Sequence, residues 1–386
     1  MSERKILKGI TWNHSRGLVP MQATAQRFSE LNPDVEIIWE KRSLQQFADF
    51  SIEELAKRFD LLVIDHPWAG FAAKTKSILP LDEYLSAEYI KDQQDNTVGH
   101  SCTSYSYNGH QWALAIDAAT PVAASRPDLF GKYGLRLPKT FGDLLQLADD
   151  GLVAFAGIPI DVLMSFYSYC CSLGESPCQT DDKVIAEETG TKALQLFREL
   201  ASKVNPANFE RNPIKVYEAM TLTDEIAYCP FAYGYSNYSR RGYARKLLHF
   251  HDMITLDGKT NMISTLGGTG LAISSSSEHI ATAVEYARYV GSPECQQTVF
   301  TENGGQPGHL TAWTDAENNR QTSNYFLNTL PALQRAFLRP RYHGHMFFQD
   351  HAGDIVRDYL MKGGSEKEVL NKMNELYLKS RNLEMA

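Results

Sequence analysis

Residues 5–12, Lys5-Ile6-Leu7-Lys8-Gly9-Ile10-Thr11-Trp12, run without a break into the polar Asn13-His14-Ser15-Arg16, after which Leu18, Met21, Ala25 and Phe28 recur at helical spacing. An apolar run, a polar turn and an amphipathic stretch make one βα unit, and Pro20 suits an early helical position. The pattern returns twice. Residues 35–39 lead into Lys41 and Arg42, and residues 60–64 lead into Asp65-His66-Pro67-Trp68. The repetition predicts an α/β fold around a mostly parallel sheet. In an open α/β sheet ligands bind outside the carboxyl ends of the strands, so the polar and aromatic residues at these three ends are expected to share one crevice.

Further along, residues 278–290 predict a helix, with Ser275 three residues before Glu278, apolar Ile280, Ala283, Val284, Ala287 and Val290, and Gly291 and Pro293 at the end. Just before it, residues 266–273 read as a glycine turn feeding a strand, where backbone can approach closely. The middle, residues 140–250, carries helical patterns broken by Pro159, Pro206, Pro213 and Pro230, and an aromatic run over residues 231–238 that reads as a loop. No short repeat or low-complexity tether separates the parts. A chain of 386 residues is long enough for two domains, each burying its own core, and hinge strands rather than a linker are expected to join them.

Several function classes are excluded or disfavoured. A net charge of -8 argues against a polyanion partner such as nucleic acid. With 43% hydrophobic and 22% charged residues, and no run of about 18 apolar residues, the sequence reads as globular, without insertion into a membrane. The turn after the first strand lacks G-x-G-x-x-G, and the chain contains no phosphate loop, no nucleophile elbow and no H-E-x-x-H helix, so no cofactor and no enzymatic activity are expected. Six cysteines (Cys102, Cys170, Cys171, Cys178, Cys229, Cys295) match neither a zinc pattern nor a redox motif; a bridge from Cys170 or Cys171 to Cys178 competes with buried free thiols. His343-x-His345 supplies only two ligands and no third nearby, so no metal is expected.

The segments that remain carry a resemblance. Phe28 with Asn32-Pro33-Asp34-Val35-Glu36, Leu79-Pro80-Leu81-Asp82-Glu83-Tyr84-Leu85, Tyr107-Asn108-Gly109-His110-Gln111-Trp112-Ala113-Leu114, Asp128-Leu129-Phe130 through Leu135, Pro138-Lys139-Thr140-Phe141, Leu144-Leu145, Leu266-Gly267-Gly268 and Ser292-Pro293-Glu294 follow one another in a fixed order across nearly the whole chain. In that order they resemble the family 1 extracellular solute-binding proteins of ABC transporters, the group that includes maltose-binding protein. The resemblance implies the type II periplasmic-binding-protein fold, two discontinuous α/β lobes joined by a hinge with a ligand cleft between them. On that template residues 1–116 with 268–313 form the N-terminal lobe and residues 117–267 with 314–386 the C-terminal lobe. It further implies capture of a small polar ligand, carbohydrate or sugar-acid-like, by hinge closure, with an ABC permease as partner if the protein is exported and a monomer as the working state.

Candidate ligand residues follow from chemistry as well as from the template. Trp12, Trp68, Tyr233, Tyr235 and Trp313 offer flat apolar faces with polar edges, against the alternative of core packing. Asp65 offers a carboxylate for paired hydroxyl groups, as in sugar-binding relatives, or a cap for the segment at Pro67. His14, Arg16, Arg42 and His66 depart from a site for neutral sugar and favour an acidic ligand, unless Arg42 pairs with Asp65 or Glu40. Gly267, Gly268 and Thr269 supply backbone donors, and Gln306 sits in the glycine-rich stretch 303–308; plain turns are the alternative for both. The amino terminus, Met1-Ser2-Glu3-Arg4-Lys5, shows no secretory h-region, so the protein is periplasmic or extracellular if a signal has been removed and cytoplasmic if Met1 is the native start. Two other functions compete with transport: a cytoplasmic ligand sensor or carrier of the same fold, and a hydrolase or lyase using His14, His66 and Asp65 as acid and base.

Overall fold

A computed structural model describes residues 4–43 and 52–385. The chain divides into two compact units: Met1–Ala119, Gly267–Arg320 and Arg341–His343 make unit 1, and Thr120–Leu266, Gln321–Pro340 and Gly344–Ala386 make unit 2. The strands that organise them are β1 (Lys5–Trp12), β2 (Val35–Arg42), β3 (Leu61–Ile64), β4 (Leu114–Ala119), β5 (Pro121–Ser125), β6 (Tyr228–Tyr233), β7 (His249–His251) and β8 (Gly267–Ile273). The helices used below are α1 (Ser15–Leu31), α2 (Ala69–Thr75), α3 (Pro159–Ser172) and α4 (Ile280–Val290).

Unit 1 is built on a five-stranded sheet in the order β2-β1-β3-β8-β4. β1 pairs parallel to β2 and to β3, while β8 runs antiparallel to both β3 and β4. The sheet is therefore mostly parallel with one reversed strand. Leu7, Val35, Ile37, Leu61, Val63, Leu271 and Ile273 from the strands pack with Met21, Ala25 and Phe28 of α1 and Ala283, Tyr286, Ala287 and Val290 of α4. Fully burying each large aliphatic side chain stabilises by roughly 1.5–3 kcal/mol. A buried polar network locks α1 and α4 to the sheet: Trp39 Nε1 donates to Tyr286 Oη at 3.2 Å, and Thr24 Oγ1 lies 2.9 Å from the same oxygen.

Two helix boundaries differ from the sequence reading. α1 begins at Ser15, so Pro20 stands inside the helix rather than at its start. The cap that starts it is His14, an unusual choice, whose Nδ1 accepts from the Arg16 amide at 3.0 Å. α4 begins at Ile280, after His279, because Ser277 is drawn into a hydrogen bond with Asp60 Oδ1 at 2.6 Å and the chain turns before it coils.

Unit 2 carries a three-stranded antiparallel sheet, β6-β5-β7, among helices. The aromatic run expected as a loop is instead half strand: β6 extends through Tyr233, Phe231 is buried in a cluster with Phe155, Phe197 and Tyr169, and a 3-10 turn covers Ser236–Ser239. Cys170 and Cys171 lie buried in α3, and all six cysteines are unbridged. Among the described residues no helix is long and apolar enough to cross a membrane, and no three His, Cys, Asp or Glu side chains group as metal ligands.

Candidate functional site

The carboxyl end of the unit 1 sheet gathers most of the sequence-selected residues. Trp12 ends β1 and pairs in register with Arg42, which ends β2. Gly270 of β8 pairs with Ile64 on one side, and Thr269 pairs with Asp117 of β4 on the other, so Asp65, next after Ile64, stands at the same end. Gly268 lies at φ +98°, and a Cβ there would fall 2.3 Å from the Asp117 carbonyl oxygen, so this close approach of two strands requires glycine. Gln306 joins the group through backbone: its carbonyl accepts from the Ala118 amide at 2.8 Å, and its Nε2 donates to the Ala118 carbonyl at 3.2 Å.

Charges at this end are organised by one pair. Arg16, in the first turn of α1, donates Nε to Asp117 Oδ2 at 2.9 Å and Nη2 to Oδ1, and both side chains are buried. This is the two-pronged geometry in which guanidinium and carboxylate bind most strongly. Burial pushes the Asp117 carboxyl up, while the Arg16 guanidinium and the amides of Gln306 and Thr269 pull it back down. His14 is pushed down to about 4 by burial and by Arg16, so it is neutral near pH 7. Arg42 is buried too, and desolvation lowers it to about 10, which leaves it cationic near pH 7.

The two aromatic residues here are held differently. The Trp12 ring lies over Gly17, where a Cβ would meet it at 2.4 Å, and Arg16 sits 6.0 Å from the ring centroid. Trp68 ends the 3-10 turn His66–Trp68, which Asp65 caps by accepting the His66 amide through Oδ1 at 2.8 Å. Asp65 keeps 23% of its side-chain surface exposed. His66 is fully buried and meets Tyr105 edge-on at 6.3 Å, so its ring belongs to the packing beneath the sheet end. Thr269 is 6% exposed, and its Oγ1 makes no hydrogen bond to any described residue.

Other sequence-selected residues lie elsewhere. Trp313 is buried and donates Nε1 to the Pro307 carbonyl at 2.6 Å, which ties it to the stretch that holds Gln306. Gly267 is the first residue of β8, paired with Ala119. In unit 2, Tyr233 ends β6 half-buried with its Oη 3.0 Å from Thr265 Oγ1. Tyr235, two residues on, is buried, with its ring 6.3 Å from that of Tyr217.

The bacterial extracellular solute-binding protein model matches residues 23–325, more than three quarters of the chain. The chain belongs to that family. The maltotriose-binding protein of Pyrococcus abyssi is 24% identical over 144 residues, a stretch spanning 37% of this chain and only 30% of that relative's length. Among solved structures, the ABC transporter solute-binding protein of Agrobacterium radiobacter K84 in complex with ribitol superposes with a TM-score of 0.82 at 20% identity, covering 98% of this chain and 99% of that one. The maltose-bound MalE3 of T. maritima gives 0.81 at 16% identity, covering 98% and 99%. At these identities the structural likeness establishes the fold, which is mixed α/β of the periplasmic sugar-binding type.

In this solute-binding protein the sequence reading missed Asp117. Nothing near it in sequence marks its role, because Ala115-Ile116-Asp117-Ala118-Ala119 reads as a plain buried strand. The available signal was the carboxylate itself: a charge inside an otherwise apolar strand requires a partner, and the partner is 101 residues away.

Proposed function

We propose that this solute-binding protein captures a neutral polyhydroxyl ligand, a carbohydrate or polyol, and delivers it unchanged to the permease of an ABC transporter outside the cytoplasm. The two units serve as its two lobes, and a monomer is sufficient. The observation that carries the reading is Thr269 Oγ1: a hydroxyl more than nine-tenths buried, on the strand position paired with Asp117, with no hydrogen bond among the described residues. Leaving such a group unmet costs on the order of 1–3 kcal/mol, and a ligand hydroxyl would satisfy it.

Electrostatics favour a neutral ligand over a sugar acid. Arg16 is bonded to Asp117 in a pair that cancels its charge, and His14 is held neutral, so two of the four basic residues at the sheet end present no net charge to an anion. Trp12 and Trp68, both buried at 4% and 9% exposure with Trp12 part of the unit 1 core, are the aromatic candidates, and the Asp65 carboxyl is the candidate acceptor for hydroxyl pairs. Tyr233 and Tyr235 are the corresponding candidates in unit 2, while Gln306 and Trp313 act as supports through side-chain bonds to main-chain carbonyls. The relatives' ligands, maltotriose, ribitol and maltose, agree with this class.

The test is a thermal-shift screen with ribitol, maltose, maltotriose and gluconate, followed by calorimetry on any hit and chromatography of the recovered ligand. A ligand that binds only the native state raises the melting temperature. A neutral hit returned intact supports capture. A hit converted to product would favour the hydrolase or lyase alternative, and a response to gluconate alone would overturn the neutral-ligand reading.

A further inference from the structure

We infer that Phe71 and His343 are positioning residues for Trp68, a role that rests on the reading of Trp68 as a ligand-facing indole. Trp68 immediately precedes α2, and its indole packs against a ring from the first turn of that helix. Phe71 meets it edge to face, with centroids 5.3 Å apart and planes at 90°. The face of Phe71 is in turn covered by His343, stacked at 5.2 Å and 16°. Trp68, Phe71 and His343 therefore form one continuous ring stack within unit 1.

Two features bring His343 to that place. Residues 341–343 belong to unit 1, while the chain on either side of them belongs to unit 2. The segment lies directly against α2 at Gly70, where a Cβ would stand 1.8 Å from the Arg341 carbonyl oxygen, so any side chain at position 70 would drive it away. Arg341 then pins it: Nη1 donates to the carbonyls of Thr103 at 2.8 Å, Ser104 at 3.3 Å and Ser106 at 2.5 Å. Phe71 without His343 keeps one face uncovered and its ring free to turn. With His343 in place its edge-on contact with Trp68 is fixed, and the indole is held in one pose before ligand arrives.

The indole N–H resonances of 15N-labelled, ligand-free protein test this directly, with the Trp68 peak assigned from Trp68→Phe. His343→Ala and, separately, Arg341→Ala are expected to shift or broaden the Trp68 peak while leaving those of Trp12, Trp39, Trp112 and Trp313 in place, and His343→Phe, which keeps the stack, is expected to restore it. Misfolding would move all five. Titration with ribitol, and with maltose if ribitol does not bind, should show His343→Ala weakening affinity about three- to tenfold, with little further loss in a Trp68→Ala background. A Trp68 peak indifferent to both variants overturns the inference. If Trp68→Ala leaves affinity unchanged, the ligand role of Trp68 fails while the spectra still decide the positioning.

Discussion

Arg16 and Asp117 are 101 residues apart in the chain and meet fork to fork at the end of the unit 1 sheet, both buried. The pair fastens the amino terminus of α1 to β4 and settles the charge at the candidate site. A buried guanidinium and carboxylate tolerate being removed together far better than being separated, because the survivor is left desolvated without a partner.

Asp117→Ala should therefore destabilise the protein by about 3–5 kcal/mol in urea unfolding, whereas Arg16→Met combined with Asp117→Leu should lose much less. Equal losses in the single and double variants would show that the two charges are not coupled.

Asp65 has two roles that one substitution separates. Asparagine caps a helical turn about as well as aspartate, so Asp65→Asn should keep the melting temperature while removing the charge offered to ligand hydroxyls. The affinity for a neutral sugar should fall about tenfold or more, the worth of a hydrogen bond to a charged group. Calorimetry and a melting curve on the same sample check both halves. A lowered melting temperature with intact affinity would make Asp65 a cap only.

Burial raises the Asp161 carboxyl to about 8, and its Oδ2 makes no hydrogen bond to any described residue. The folded state thus holds this proton more tightly than the unfolded chain, where the value is about 3.9. The stability it contributes is complete below the unfolded value and is lost as pH rises toward about 8. Melting temperatures from pH 5 to 9 should fall more steeply for the native sequence than for Asp161→Asn. Parallel curves would contradict the assignment.

How much of this was legible in sequence follows from where the information lies. β1, β2 and β3 announce themselves because their apolar runs and polar ends are local, and those ends led directly to Trp12, Arg42 and Asp65. The start of α1 was hidden because its cap is a histidine, a residue seldom read as one. Trp313 and His66 could be chosen as aromatic or polar residues, but only packing reveals that one donates to Pro307 and the other turns inward to Tyr105. The aromatic run at 231–238 looked like a loop because Pro230 and Gly234 punctuate it, yet its aromatic residues favour strands, and Tyr228–Tyr233 gains a ladder with Pro121–Ser125 that lies far away in sequence. Asp117 needed the same long-range pairing to acquire meaning.

The most direct test of the central claim compares the wild type and Thr269→Val in calorimetric titrations with the neutral sugar or polyol that the thermal screen identifies. Valine keeps the shape and removes only the buried hydroxyl. The account predicts a melting temperature unchanged or raised, because an unmet polar atom is gone, together with affinity weakened about five- to thirtyfold, the loss of one hydrogen bond of roughly 1–2 kcal/mol. Unchanged affinity in the valine variant would contradict it and move the ligand away from the end of the unit 1 sheet.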